Sequence, residues 1–129
     1  MRSVLLIDDD LELLRQMAQA FAIAGYEVQA APDGQMGLAR FLVRPTELVV
    51  TDIIMPNREG IETIVALKKA KPSVRVIAIS GGYRVGPADF LHLAGHVGAD
   101  DVLAKPFRLA ELIDRAARLL RIGATAEAA

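Results

Sequence analysis

The chain has 129 residues, 53% hydrophobic and only 5% aromatic, with both signs of charge mixed to a net −1. That length supports one domain whose core is built from Leu, Ile, Val and Ala rather than from stacked rings. The balance of charge predicts no bulk affinity for nucleic acid or an anionic membrane, and the lack of cysteine removes disulfides and thiolate metal sites.

No apolar run reaches the roughly 18 residues that a membrane span needs. Met1-Arg2-Ser3 leads straight into an apolar strand and a run of acids, which is not a secretory signal, so the expected location is cytoplasmic. Ser3-Val4-Leu5-Leu6-Ile7 reads as a strand buried on both faces, ending on Asp8-Asp9-Asp10. From Leu11 the period changes: Leu14, Met17, Ala18 and Phe21 share one helix face, with Asp10 as N-cap and Gly25 as stop. Tyr26 to Ala31 is a half-exposed strand. A second helix follows from Asp33-Gly34 to about Val43, with Met36, Ala39, Phe41 and Leu42 available for packing, and Arg44-Pro45 ends it.

Leu48-Val49-Val50-Thr51-Asp52 is a second buried-type strand, stopped by Met55-Pro56. A helix from about Glu59 to Ala70 is predicted to turn Ile61, Ile64 and Val65 inward. Strand Val74–Ser80 follows, then a loop over 81–86 and a helix opened by Pro87, with Phe90, Leu93, Ala94 and Val97 on its buried side. Val102-Leu103-Ala104 is a short strand leading to Lys105-Pro106. The last helix spans about Leu109 to Leu120, turning Leu109, Leu112, Ile113, Ala116 and Leu120 inward. The expected organisation is one domain over 1–122 and a frayed tail over 123–129. Five strands alternating with five helices define an α/β fold, a doubly wound (βα)5 three-layer sandwich on a parallel five-stranded sheet.

Every useful polar strand tip is a carboxyl tip: Asp8 and Asp9, Asp52, Ser80 and Lys105. In a parallel sheet these share one edge, where ligands bind. Three carboxylates brought together repel, and a hard divalent cation such as magnesium resolves the conflict while leaving sites open for phosphate oxygens. Lys105 adds a flexible point charge, and a carboxylate nucleophile yields an acyl phosphate. Asp52 is therefore the expected phosphoryl acceptor.

These residues resemble the receiver domains of bacterial two-component signalling. The likeness spans residues 3 to 121 and rests on Ile7-Asp8-Asp9-Asp10, Thr51-Asp52-Ile53-Ile54-Met55-Pro56 with Gly60, Ile79-Ser80-Gly81-Gly82 and Ala104-Lys105-Pro106-Phe107. The resemblance implies a flavodoxin-like strand order 2-1-3-4-5 and phosphotransfer to Asp52 from the phosphohistidine of a sensor histidine kinase or histidine phosphotransfer protein. It implies magnesium (manganese substituting) on Asp9, Asp52 and the Ile54 carbonyl, with Asp8 acting through water. It makes Ser80 the switch hydroxyl, Lys105 the phosphate-binding lysine and Lys105–Pro106 a cis bond. It also implies a partner-binding face on the fourth helix, fifth strand and fifth helix, and self-phosphorylation with slow hydrolysis rather than turnover of a substrate.

Two features depart from that pattern. Val102 stands where an aromatic ring is usual, and the loop over 81–86, with Tyr83, looks longer, so the loop is expected to replace the ring as the moving part. The rival reading is a haloacid-dehalogenase-type phosphohydrolase with Asp8 as nucleophile, which leaves Asp52 unexplained. His92 and His96 share a helix flank but lack a third ligand, and read as solvated. Arg108, Arg115, Arg118 and Arg121 interleave with Glu111 and Asp114 and read as a solvated face, not a nucleic-acid one.

Overall fold

The computed structural model describes residues 2–53, 59–81 and 98–128. The elements in order are β1 (Ser3–Ile7), α1 (Leu11–Ile23), β2 (Glu27–Ala31), α2 (Gly34–Val43), β3 (Leu48–Asp52), α3 (Glu59–Ala70), β4 (Arg75–Ser80), β5 (Asp101–Ala104) and α4 (Leu109–Ala128). α4 is the fifth helix expected from the sequence. The helix predicted over 87–97, with His92 and His96, lies outside the described residues, as do Met55-Pro56 and most of the loop over 81–86.

The strands form one sheet in the order β2-β1-β3-β4-β5, every pair parallel. This is the flavodoxin-like order, and successive strand residues divide the core between two faces. Val4, Leu6, Leu48, Val50, Ile77 and Ile79 pack with Leu14, Met17 and Phe21 of α1 and with Leu112, Ala116 and Leu120 of α4. Leu5, Ile7, Val49, Val76 and Ala78 pack with Phe41 of α2 and with Ile64 and Leu67 of α3. Residues at i and i+2 thus serve one layer while their neighbours serve the other, which is why β1 and β3 are apolar at nearly every position.

α1 begins where expected. Asp10 is extended and its side chain accepts the Leu13 N–H, and Gly25 follows the helix at φ 94°. Asp33 caps α2 in the same way through the Met36 N–H. The inward faces of α2 and α3 differ from expectation. Met36, Ala39 and Leu42 are exposed, and α2 turns Gly34, Gly37 and Phe41 inward. The reason is close seating: a Cβ on Gly37 would overlap Ile7 Cδ1 and lie 2.7 Å from its Cγ1, so helix and strand meet at the glycine. In α3, Val65 is half exposed, and Thr63, Ile64 and Leu67 are buried.

The chain end also differs. The backbone stays helical through Ala128 where a frayed tail from residue 123 was expected. Gly123 costs a helix only about 1 kcal/mol relative to alanine, and the flanking Ala-rich sequence favours helix. β4 begins at Arg75 rather than Val74, and β5 at Asp101 rather than Val102. Among the described residues no helix is long and apolar enough to cross a membrane.

Candidate functional site

The parallel register places Ile7 beside Thr51 and Asp52 beside Ile79, so Asp8 and Asp52 follow one another across the carboxyl edge of the sheet. Asp8 is fully buried and Asp52 nearly so, while Asp9 faces solvent. The backbone around them is held on several sides. Asp8 N–H donates to the Ala31 carbonyl at 3.2 Å, Ile53 N–H donates to the Ile79 carbonyl at 3.0 Å, and the Thr51 hydroxyl donates to the Asp52 carbonyl at 3.3 Å. Asp8 Oδ1 accepts the Asp10 N–H at 2.8 Å, so the residue that caps α1 also fixes the first acid.

Lys105 enters from the end of β5, where Ala104 pairs with Ser80. Its Nζ donates to Asp52 Oδ2 at 2.9 Å and stands 3.4 Å from Asp8 Oδ2. That second contact is an ion pair without hydrogen-bond geometry, and among the described residues Asp8 Oδ2 is buried with no hydrogen-bond partner. One carboxylate oxygen from each of Asp8, Asp9 and Asp52 lies within 4.8 Å of the others.

The charges follow from this arrangement. Burial pushes the Asp8 carboxyl above its ordinary 3.8 and the Asp52 charge pushes the same way, while the Asp10 N–H and Lys105 oppose them incompletely. Burial pulls the Lys105 ammonium down, but the hydrogen bond and charge of Asp52 and the charge of Asp8 more than offset it, so it lies above 10.5. Among the described residues, three clustered carboxylates face one lysine, which contacts Asp8 and Asp52, so negative charge is in surplus there. An unsatisfied buried oxygen, an all-oxygen donor set and that surplus charge fit a hard divalent cation and not a thiophilic one.

The structure thus brings together Asp8, Asp9, Asp52 and Lys105. Ser80 closes β4 at the same edge, and its hydroxyl lies outside the described atoms, as does Ile54 with its carbonyl. The Lys105–Pro106 peptide is cis. Val102 is half-buried against the core layer of α2 and α3, and its carbonyl accepts from Arg115 at 3.3 Å. Arg115 also binds Asp101 at 2.9 Å and Glu111 at 3.1 Å, a clip between α4 and β5 that sequence periodicity did not reveal. Beside the acids lies an open groove of about 520 Å³, with Leu13 and Phe107 on its apolar wall and Asp10 and Lys105 at its inner end.

The chain is thus an α/β domain on a parallel sheet with acids and a lysine converging on its carboxyl edge. Residues 4–117 match the family model of the response regulator receiver domain, and the chain belongs to that family. It is 38% identical over 125 residues to the transcriptional regulatory protein PrrA of Mycobacterium leprae, covering 95% of this chain and 52% of that protein. The chain therefore spans about half the length of this curated relative. Among solved structures it resembles the CheY-like response regulator receiver domain protein from Methanospirillum hungatei JF-1, with a TM-score of 0.89 and 26% identity, covering 97% of this chain and 98% of that one. It also resembles a structure described as the BeF3-activated DrrB receiver domain, with a TM-score of 0.82 and 25% identity, covering 94% and 98%.

The phosphohydrolase alternative is not favoured. The family match is to receivers, and Asp8, the nucleophile it requires, is sealed from solvent and tied to the Asp10 N–H.

Proposed function

We propose that this chain is a phosphoacceptor switch: Asp52 takes a phosphoryl group from a phosphohistidine on a sensor histidine kinase or histidine phosphotransfer protein, and the phosphorylated form changes its affinity for a partner. The observation that carries this reading is Lys105 Nζ set between Asp52 Oδ2 and Asp8 Oδ2, with an Asp9 carboxylate oxygen within 4.8 Å of those of the other two acids. The likeness to a BeF3-activated receiver supports it, because beryllofluoride bound to a carboxylate imitates an acyl phosphate.

Asp52 carboxylate oxygen attacks phosphorus, the P–N bond of the phosphohistidine breaks, and its electron pair returns to the imidazole. Lys105 releases Asp52 as the new P–O bond forms and turns its ammonium onto a phosphoryl oxygen. Ser80, at the tip of β4, offers a hydroxyl to another. Asp8 and Asp9 keep the site too negative to hold a phosphoryl group on Lys105 alone. Asp9, Asp52 and the Ile54 carbonyl, with Asp8 acting through water, would hold magnesium, or manganese in its place, which would supply the missing positive charge. Water then cleaves the acyl phosphate slowly, restoring the carboxylate and releasing phosphate. The protein is not a turnover enzyme.

The partner face is proposed on the helix predicted over 87–97, β5 and α4. A differential affinity of a few kcal/mol between the two states suffices to move such an equilibrium. Val102 offers no ring to couple Ser80 to that face, so the loop over 81–86 is proposed as the coupling element, in a unit spanning 1–122 and located in the cytoplasm. Absence of nucleic-acid contact is proposed for this unit only, on the interleaved charges of α4; the relative PrrA is itself named a transcriptional regulatory protein.

The test is incubation with acetyl phosphate and Mg2+, borohydride trapping of the acyl phosphate, and mass mapping. Label on Asp52 that disappears with EDTA is expected. Label on Asp8, or none with Mg2+ present, overturns the reading.

A further inference from the structure

The first turn of α3 rests on the backbone of the residue that carries the central carboxylate. A Cβ placed on Gly60 would overlap the Asp52 carbonyl oxygen and lie 2.5 Å from Ile53 Cα and 3.0 Å from Ile53 C. These are main-chain atoms, so no change of rotamer relieves the overlap. The same peptide is held from two other sides, by the Thr51 hydroxyl on the Asp52 carbonyl and by the bond from Ile53 N–H to Ile79 O. Asp52 therefore sits in a three-sided clamp, and the direction of its side chain follows from where that clamp puts its Cα.

We propose that Gly60 is a positioning residue for phosphoryl transfer: its missing side chain lets α3 seat against the Asp52 peptide, and with Thr51 it aims the carboxylate at Lys105 and the acid pair. The inference rests on Asp52 being the phosphoacceptor. One added methyl group must lift α3 or push Asp52 and Ile53 along the sheet edge. Misplacement of a reacting group by about 1 Å costs about 10²-fold in rate.

Gly37 supplies the control. It makes an equally tight approach on the same side of the sheet, but its clash is with side-chain atoms of Ile7 and not with the main chain of a residue that carries an acid. Gly60→Ala and Gly37→Ala both lower stability, and only the first disturbs the acceptor.

The experiment measures the rate of Asp52 phosphorylation by acetyl phosphate, Mg2+ affinity by calorimetry, and the melting temperature, for wild type, Gly60→Ala, Gly37→Ala and Thr51→Val. Gly60→Ala is expected to slow phosphorylation about 10- to 100-fold and to weaken Mg2+ binding, at a temperature where it stays folded. Gly37→Ala is expected to keep the wild-type rate within about twofold at a comparable loss of melting temperature. Thr51→Val, which loosens the same carbonyl without adding atoms, is expected to slow the reaction about threefold. A Gly60→Ala rate within about twofold of wild type overturns the proposal, as does an equal loss in Gly37→Ala. Where Gly60→Ala does not fold, Thr51→Val decides, and an unchanged rate overturns the proposal. Failure of the wild type to label on Asp52 at all is a different outcome, which removes the functional reading and not the clamp.

Discussion

Asp8 Oδ2 faces Lys105 Nζ at 3.4 Å and, among the described residues, accepts no hydrogen bond. A fully buried carboxylate in that condition costs the metal-free fold more than the distant ion pair returns. Asp8→Asn keeps an acceptor for the Asp10 N–H and removes the charge. The metal-free variant is expected to be more stable than wild type by about 1 kcal/mol, about 4 °C in Tm for a domain of this size. Its stabilisation by Mg2+ should fall sharply, because one of the three acids is gone. Thermal melts with EDTA and with Mg2+ check both parts; a variant less stable without metal contradicts the reading of Asp8 as strained.

The same residue sets a pH dependence. The Asp8 carboxyl is raised above 3.8 in the folded protein. Its contribution to stability is therefore complete below pH 3.8 and is lost as pH rises through the higher folded value. Lys105, raised above 10.5, contributes stability that is complete below 10.5 and is lost at higher pH still. In EDTA, the Tm advantage of Asp8→Asn over wild type should be absent below pH 3.8 and grow above it. With Mg2+ the trend reverses for wild type, since the ion binds the deprotonated carboxylates and its protection increases as Asp8 loses its proton. A pH-independent difference between the two proteins would contradict the assignment.

Strands β1 and β3 were legible residue by residue because burial on both faces keeps their buried positions apolar, apart from Thr51 next to the tip, so each strand announces its functional residue by where its apolar run stops. The orientation of α2 and α3 was legible only in part, through Phe41, Ile61 and Ile64, for the complementary reason. Their inward stripes include Gly34, Gly37 and Thr63, which hydropathy places outside, while Met36, Leu42 and Val65 are apolar and exposed. What turns α2 is the distance of closest approach to Ile7, a property of two elements together and not of either sequence.

The site divides along the same line. Asp8, Asp9, Asp52 and Lys105 could be assigned to one edge because parallel topology carries every carboxyl tip there. Neither the bond from Asp10 N–H to Asp8 nor the seat of Gly60 on Asp52 leaves a periodic trace. Both depend on main-chain atoms, which every residue has. Gly60 fell inside the helix expected from about Glu59 and was quoted with the motif around Asp52, and only the packing of α3 on β3 gives it a further meaning.

Asp10 offers a clean separation of fold from chemistry. Its side chain caps α1 through the Leu13 N–H at 3.1 Å, whereas its contribution to the acid site comes from its own backbone N–H. Asp10→Ala is expected to cost about 1 kcal/mol of stability through loss of the cap. The rate of Asp52 phosphorylation by acetyl phosphate should be unchanged under folding conditions. Denaturant melts and a labelling time course on the same preparation check the pair, and a large loss of rate would mean that the Asp10 carboxylate itself belongs to the site.

Lys105 is the residue on which fold and reaction both turn, and the two roles separate by substitution. Lys105→Met keeps the length and apolar stem of the side chain and removes the charge. Asp52, nearly fully buried, loses the cation 2.9 Å away, and Asp8 loses its one charged counterpart among the described residues. The metal-free variant is expected to be less stable than wild type, because buried carboxylates lose the cation beside them. Adding Asp8→Asn should recover more stability in this background than in wild type, a coupling of about 0.5–3 kcal/mol in a double-mutant cycle. Phosphorylation of Asp52 should slow about 10²-fold, the loss expected when one preorganised donor to a developing oxyanion is removed. Mg2+ should recover much of the stability, by neutralising the same acids, and little of the rate, because the ammonium that turns onto the phosphoryl oxygen is missing. Equal recovery of both would place Lys105 outside the reaction and leave it as an ion-pair partner of the resting fold.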